Sequence, residues 1–216
     1  MRNVLLSLSV LAALAAGGCN SLQYMMYLFA PPAPTKTIKA EYDMRGKHVA
    51  VVVFAGPETL LDYHQAQVEV FDALAAELKR KVRGVSLVDI RRVMRYQDEN
   101  PRWDAEPPEK LCRIFSCDTV LLVSLIEFAT REPGSIHLAR GRILAEASTY
   151  EPRRVVKGVA RGGCVWRSKT IRVVYPAKTP VGLPAGDDWR LRVETAKVFA
   201  AELAKNFYKH KVPKQP

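Results

Sequence analysis

His48 to Gly56 reads HVAVVVFAG. Nothing polar alternates with the β-formers after His48, so a strand here has both faces covered, as in a sheet with helices on either side. Gly56-Pro57 ends it. Asp62 with Gln65 reads as a capping box. Behind it Val68, Phe71, Leu74, Ala75, Leu78 and Val82 recur at three-and-four spacing, a helix with one buried face that stops near Gly84. VSLVD (85–89) predicts a short second strand and IRRVMRYQ (90–97) a second helix. DENPRWDAEPP (98–108) is a polar, proline-broken loop before a short helix at 109–115. DTVLLVSLIEF (118–128) is expected to be the longest buried strand. REPGS turns it into HLARGRILAEASTY (137–150), where Ala139, Gly141, Ile143, Ala145 and Ala147 share one small face at period two.

The basic stretch RRVVKGVARGG (153–163) is read as an interval before a single strand, CVWRSKTIRVVY (164–175). Asp187 is placed to cap a last helix carrying Trp189, Val193, Ala196, Ala200, Leu203 and Phe207 on its apolar side, and KHKVPKQP (209–216) is a loose basic tail. No internal repeat is evident. The expected class is α/β: a single domain, two-layer or three-layer-like, with a mixed β-sheet flanked by helices. A signal peptide and a Pro-rich tether precede it.

The amino terminus has its own logic. Arg2 makes a short positive end, Val4 to Ala16 is a charge-free apolar run of 13 residues, and Ala16, Gly17 and Gly18 are small. That order is a secretory signal peptide, and the run is short of the ~20 apolar residues a membrane-spanning helix needs. LAALAAGGCNS, Leu11 to Ser21, resembles the lipobox of bacterial lipoproteins, with Ala16 where Leu is usual. The resemblance implies cleavage after Gly18, a diacylglycerol thioether on Cys19 and an acyl chain on its new amine. Several chains anchor firmly, whereas one gives only marginal binding. In the sorting rule of such lipoproteins Asp after the cysteine retains the protein at the inner membrane, so Asn20 points to the periplasmic face of the outer membrane. Tyr24 to Phe29 either lies at the bilayer interface or folds back on the domain. Pro31, Pro32 and Pro34 favour extended polyproline II, a semi-rigid tether. The domain boundaries read 1–18 for the leader, 19–46 for the lipidated terminus and tether, 47–211 for the folded domain and 212–216 for the tail.

Lys and Arg number 33 against 22 Asp and Glu, net +11, and only Arg2 of these lies in the leader. In a periplasmic lipoprotein that balance points to anionic lipid head groups, lipopolysaccharide or cell-wall polymer rather than nucleic acid. Aromatics do not interleave with the basic runs. Once Cys19 is modified, Cys112, Cys117 and Cys164 remain, an odd number, so at least one is free or pairs between molecules in an oxidising compartment. Cys112 and Cys117 close a small loop only if their Cα atoms come within ~7 Å. His48, His64, His137 and His210 are scattered, so no metal and no cofactor beyond the lipid on Cys19 is expected. Nor is there G-x-S-x-G, S-x-x-K, H-E-x-x-H or a phosphate-cradling glycine loop, so catalysis is not expected and a cryptic enzyme ranks third among the readings, after a binding module and a secretion-ring subunit. Glu127 is expected to pair with an arginine, and Cys164 to be a strand cysteine.

The order strand, helix, strand, helix, helix, strand, strand, strand, helix behind a lipobox resembles the CsgG-like and TolB amino-terminal-like domains of envelope proteins. HVAVVVFAG is similar to their opening strand and VSLVDIRRVMRYQ to their second strand and helix. LCRIFSCDTVLLVSLIEF is similar to their "helix, Gly-Ala-Asp, strand" core, with Ser116 and Cys117 in place of Gly-Ala and Asp118 kept. VFAAELAKNFYKHKV resembles closing helices of uncharacterised lipoproteins of this type. The likeness spans about residues 47 to 211. It implies a lipid-anchored binding, scaffolding or accessory module in envelope assembly, or a subunit of an outer-membrane secretion ring. None of its motifs is catalytic.

A ring that pierces the membrane needs hairpins with outward apolar faces. Of the two donors, 165–175 carries Arg167, Lys169 and Arg172, and the smooth face of 137–150 reads more simply as a sheet surface under a helix. YQDENPRWD, with Tyr96, Asp98, Trp103 and Asp104, is the most distinctive surface stretch. It is either a partner-binding loop or a self-packed connection with Trp103 as a plug, the plug being preferred. The expected partners are the membrane and envelope proteins or an anionic envelope polymer.

Overall fold

The computed structural model describes residues 35–132, 134, 135, 137–156, 159–177, 183, 184, 186 and 188–213. The leader, Gly18, Cys19, the tether prolines and Asp187 lie outside these. The chain divides into two compact units, 38–210 and the two termini. In the terminal unit β1 (Thr35–Ile38) pairs with β9 (His210–Pro213), so 210–213, expected to be loose tail, form a strand.

The larger unit is built on β2 (His48–Ala55), the opening run. β3 (Ser86–Leu87) and β4 (Thr119–Arg131) flank it, both parallel. β5 (Leu138–Val156) returns antiparallel to β4. β6 (Val159–Arg167), β7 (Ile171–Tyr175) and β8 (Leu183–Pro184) all pair with β5, completing a mixed seven-stranded sheet. The helices are α1 (Pro57–Asp62), α2 (Ala66–Lys81), α3 (Ile90–Glu99), α4 (Glu109–Ile114) and α5 (Asp188–Ala204).

The uninterrupted apolarity of β2 has the expected cause. Val49, Val51, Val53 and Ala55 enter one core with α2, α5 and the small face of β5, while Ala50 and Val52 enter a second with Val93 of α3 and Leu111 of α4. Helices therefore cover both faces, in three layers. β4 follows the same parity until Ile126, where a bulge between Leu125 and Glu127 shifts the register. Ile126 is left exposed and Phe128, of opposite parity, turns into the first core.

Gly141, Ile143, Ala145 and Ala147 are buried beneath α5, and Gly141 lets the helix approach closely. A lipid-facing hairpin from 137–150 would have to uncover that face. Arg192 of α5 pairs with Glu69 of α2 at 3.0 Å, and the Glu69 side chain is only 7% exposed.

Several expectations are corrected. Asp62 ends α1 instead of capping α2, whose N-cap is Gln65 without a side-chain bond, because Pro57 starts a helix of its own. β5, with 19 residues, outruns β4 with 13. The basic stretch is not an interval: 153–156 end β5 and 159–163 begin β6, and the pairing of the two strands shifts register between Glu151 and Arg154. Gly162 sits there at φ +96°, where an added Cβ would lie 2.3 Å from the Pro152 carbonyl oxygen. CVWRSKTIRVVY is two strands. Ser168 breaks it by exchanging backbone and hydroxyl bonds with Ala147 at 2.8 and 2.9 Å, so β6 and β7 pair successive parts of β5. On α5 the buried stripe runs through Leu191, Thr195, Ala196, Phe199, Ala200 and Leu203, leaving Trp189 exposed. Packed structure also begins before residue 47. Met44 is fully buried, and the Tyr42 hydroxyl donates to Glu151 at 2.6 Å and receives from Lys47 at 2.7 Å.

Ser116 stands at φ +52°, the only positive-φ position among the described residues not held by glycine. It turns α4 into β4, and the Asp118 carboxylate then accepts the His48 backbone N–H at 2.9 Å, tying the starts of β2 and β4. A left-handed conformation costs an L-residue roughly 1–2 kcal/mol, part of which glycine returns as unfolded-chain entropy. Ser116→Gly is therefore expected to stabilise the domain by about 1 kcal/mol, read as a rise of roughly 2–4 °C in thermal midpoint.

Candidate functional site

The connection from β2 to β3 carries α2 over one face of the sheet, and that from β3 to β4 carries α3 and α4 over the other. Strand order thus reverses at β2, and a crevice opens at the carboxyl end of β2, beside Leu122 and Ser124 of β4, near the usual ligand position in open α/β sheets. Near this end of β2 the Val53 carbonyl accepts from Gln67 of α2 at 2.8 Å and Gln97 of α3 at 3.3 Å.

The crevice holds two adjoining hollows sharing Phe54, Trp103 and Asp104. The inner, about 240 Å³, runs down to Leu111 and Leu122. The outer, about 590 Å³, is walled by Leu60 and Leu61 of α1 between Pro57 and Pro101. Trp103 stands edge-on to Phe54, ring centres 5.9 Å apart at 66°. Leu61 is 86% exposed and adds apolar surface to the rim of the outer hollow. Asp104 and Glu106 supply the charge at the mouth; Glu106 reaches Lys110 at 3.7 Å. The result is an apolar, aromatic-walled groove with an acidic lip.

The structure sorts the four loop residues. Trp103 and Asp104 line the crevice. Tyr96 turns inward, edge-on to Phe115 at 5.5 Å, and burial with the Glu106 charge raises its hydroxyl pKa. Asp98 is exposed in the last turn of α3 and lines neither hollow. Trp103 is both the expected plug and a wall. Phe54, Leu60, Leu61 and Leu122 were missed; the available signal was Gly56-Pro57 at a strand's carboxyl end.

Glu127, within β4, pairs with Arg142 at 2.8 Å. Cys112 and Cys117 are buried free thiols and Cys164 is exposed. The hydrogen bond with Cys117, then burial, pushes the Cys112 thiol up; its sulfur also donates to the Tyr150 carbonyl at 3.5 Å. Among the described residues no three His, Cys, Asp or Glu side chains gather to hold a metal, and no helix is long and apolar enough to cross a membrane.

No protein-family model matches the chain, and no curated protein matches it either. Among solved structures it is similar to lipoprotein GNA1162 from Neisseria meningitidis: 16% identity over 73% of this chain and 98% of that one, TM-score 0.44. It is similar also to the PelC dodecamer subunit from Paraburkholderia phytofirmans, at 12% identity over 81% of this chain and 98% of that one, TM-score 0.42. A third is the hypothetical protein CT253 from Chlamydia trachomatis, at 14% identity over 60% and 72%, TM-score 0.34.

Proposed function

We propose that the chain is a lipid-anchored module on the periplasmic face of the envelope, working by binding rather than catalysis, in an accessory or scaffolding role. The crevice carries this reading. Its aromatic wall and exposed Leu61 suit apolar side chains, and Asp104 and Glu106 suit a cation. The occupant that fits is an extended segment of a partner protein with apolar side chains beside a lysine or arginine.

A photoreactive residue in place of Leu61, in the membrane-bound chain, tests it. The expected result is one adduct of defined mass whose cross-linked peptide has that composition, and which Trp103→Ala reduces at least ten-fold. Adducts scattered over many proteins, or one indifferent to Trp103→Ala, would contradict the reading.

A further inference from the structure

A second concavity, with none of the crevice's residues, forms where three segments meet: 39–45 ahead of β2, 81–83 closing α2, and 207–209 after α5. Backbone bonds fix the junction. Gly46 N–H donates to the Arg83 carbonyl at 3.2 Å, and Glu41 and Tyr42 N–H both donate to the Asn206 carbonyl, at 2.8 and 3.2 Å. Val82 and Phe207 form a buried floor, and the half-buried Tyr208 ring lies 5.7 Å below the Lys81 ammonium. The volume, about 540 Å³, is that of a small-ligand site.

Its charge is one-sided. Lys39, Arg45, Lys81, Arg83 and Lys209 line it against the single carboxylate of Asp43. Arg45 already clasps that carboxylate, its Nε 2.9 and 3.0 Å from the two oxygens, and the clasp holds Asp43 ionised. Lys39, Lys81, Arg83 and Lys209 make no ion pair with any described carboxylate. Elsewhere the same helix pairs Arg80 with Glu77. Four cations without an ion-pair partner among the described residues converge on one hollow and repel one another until an anion enters. Lysine ammoniums on flexible stems suit a phosphate approached from several sides.

We propose that this concavity binds the phosphate-bearing head group of an anionic membrane lipid, with Lys39, Lys81, Arg83 and Lys209 around the phosphate and Tyr208 beneath the alcohol or sugar it esterifies. The proposal rests on the reading that the chain works at a membrane. Lys39 follows Cys19 by about 20 residues, so an anchor there would keep the site within ~70 Å of the bilayer even on a fully extended tether. Single-stranded nucleic acid, the other polyanion, requires successive aromatic platforms, and the hollow has one half-buried tyrosine and a buried phenylalanine.

The test uses the full lipoprotein purified from membranes in neutral detergent. Binding of phosphatidylglycerol in mixed micelles is measured by calorimetry against phosphatidylcholine, glycerol 3-phosphate and a single-stranded oligonucleotide. The expected order is phosphatidylglycerol first, with affinity falling as salt rises, at least ten-fold lost in Lys81→Glu/Arg83→Glu and in Lys39→Glu/Lys209→Glu, and unchanged in Trp103→Ala. All four charges are exposed, so both variants should keep the parent's thermal midpoint. Equal binding of phosphatidylcholine, tighter binding of glycerol 3-phosphate or of the oligonucleotide, or full affinity in both charge-reversed variants would overturn the proposal. The mass of the purified chain reports separately whether Cys19 is lipidated, so failure of the anchor and failure of this site are told apart.

Discussion

Gly141→Val is expected to lower stability by about 3 kcal/mol, the upper end for overpacked cores. In a domain of this size that is a fall of roughly 6–12 °C in thermal midpoint. A Cβ at 141 would lie 1.7 Å from the Thr195 hydroxyl oxygen and 2.8 Å from its Cβ, so no rotamer of Thr195 clears it. Thr195 cannot swing away either, since its hydroxyl donates to the Leu191 carbonyl at 2.7 Å within the helix. Relief requires α5 to lift off β5, which separates it from Glu69 of α2 as well. A partner substitution distinguishes this clash from a general intolerance of change. In Gly141→Ala, replacing Thr195 with glycine should restore part of the loss, leaving a coupling of about 1 kcal/mol or more in a double-mutant cycle. If Gly141→Val melts within 2 °C of the parent, α5 does not sit where it is described.

Phe115→Ala is expected to cost about 3–5 kcal/mol and to damage the crevice with it. Phe115 is fully buried in the second core, edge-on to Tyr96 at 5.5 Å. Arg92 of α3 crosses over it and donates to the carbonyls of Ile114 and Phe115 at 2.7 and 3.2 Å, so one side chain holds α3 against α4. The loop carrying Trp103 is strung between those two helices. The thermal midpoint should fall by roughly 6–20 °C, and the Leu61 cross-link should weaken even where the chain remains folded. Phe199→Ala, in the other core, is the control. It should lose comparable stability yet spare the cross-link in molecules that stay folded.

These two residues also show what the sequence made legible. The period-two row at 139–147 exposed the small face of β5, and with it the need for a helix above, because alternation is local. The closing helix was legible as a helix, with its phase right from Ala196 onward and wrong in its first turns. Its stripe is chosen by contact with α2 and β5, so Leu191 and Phe199 enter the core and Trp189 does not. Partition of 164–175 into two strands was hidden for the same reason, since it depends on Ser168 meeting Ala147 across the sheet. In the crevice, Trp103 and Asp104 stood out as an aromatic beside carboxylates in a proline-broken loop. Phe54 looked like the interior of a buried strand, and Leu60 and Leu61 like part of a helix start. Only the reversal of strand order at β2 brings them together.

The most direct test is the intact mass of the chain purified from membranes, with fragmentation of its amino-terminal peptide. The account predicts a chain that begins at Cys19, lacks residues 1–18, and carries a diacylglyceryl group on the Cys19 sulfur and an acyl chain on its amine. A chain that retains Met1, or begins elsewhere with Cys19 unmodified, would contradict it.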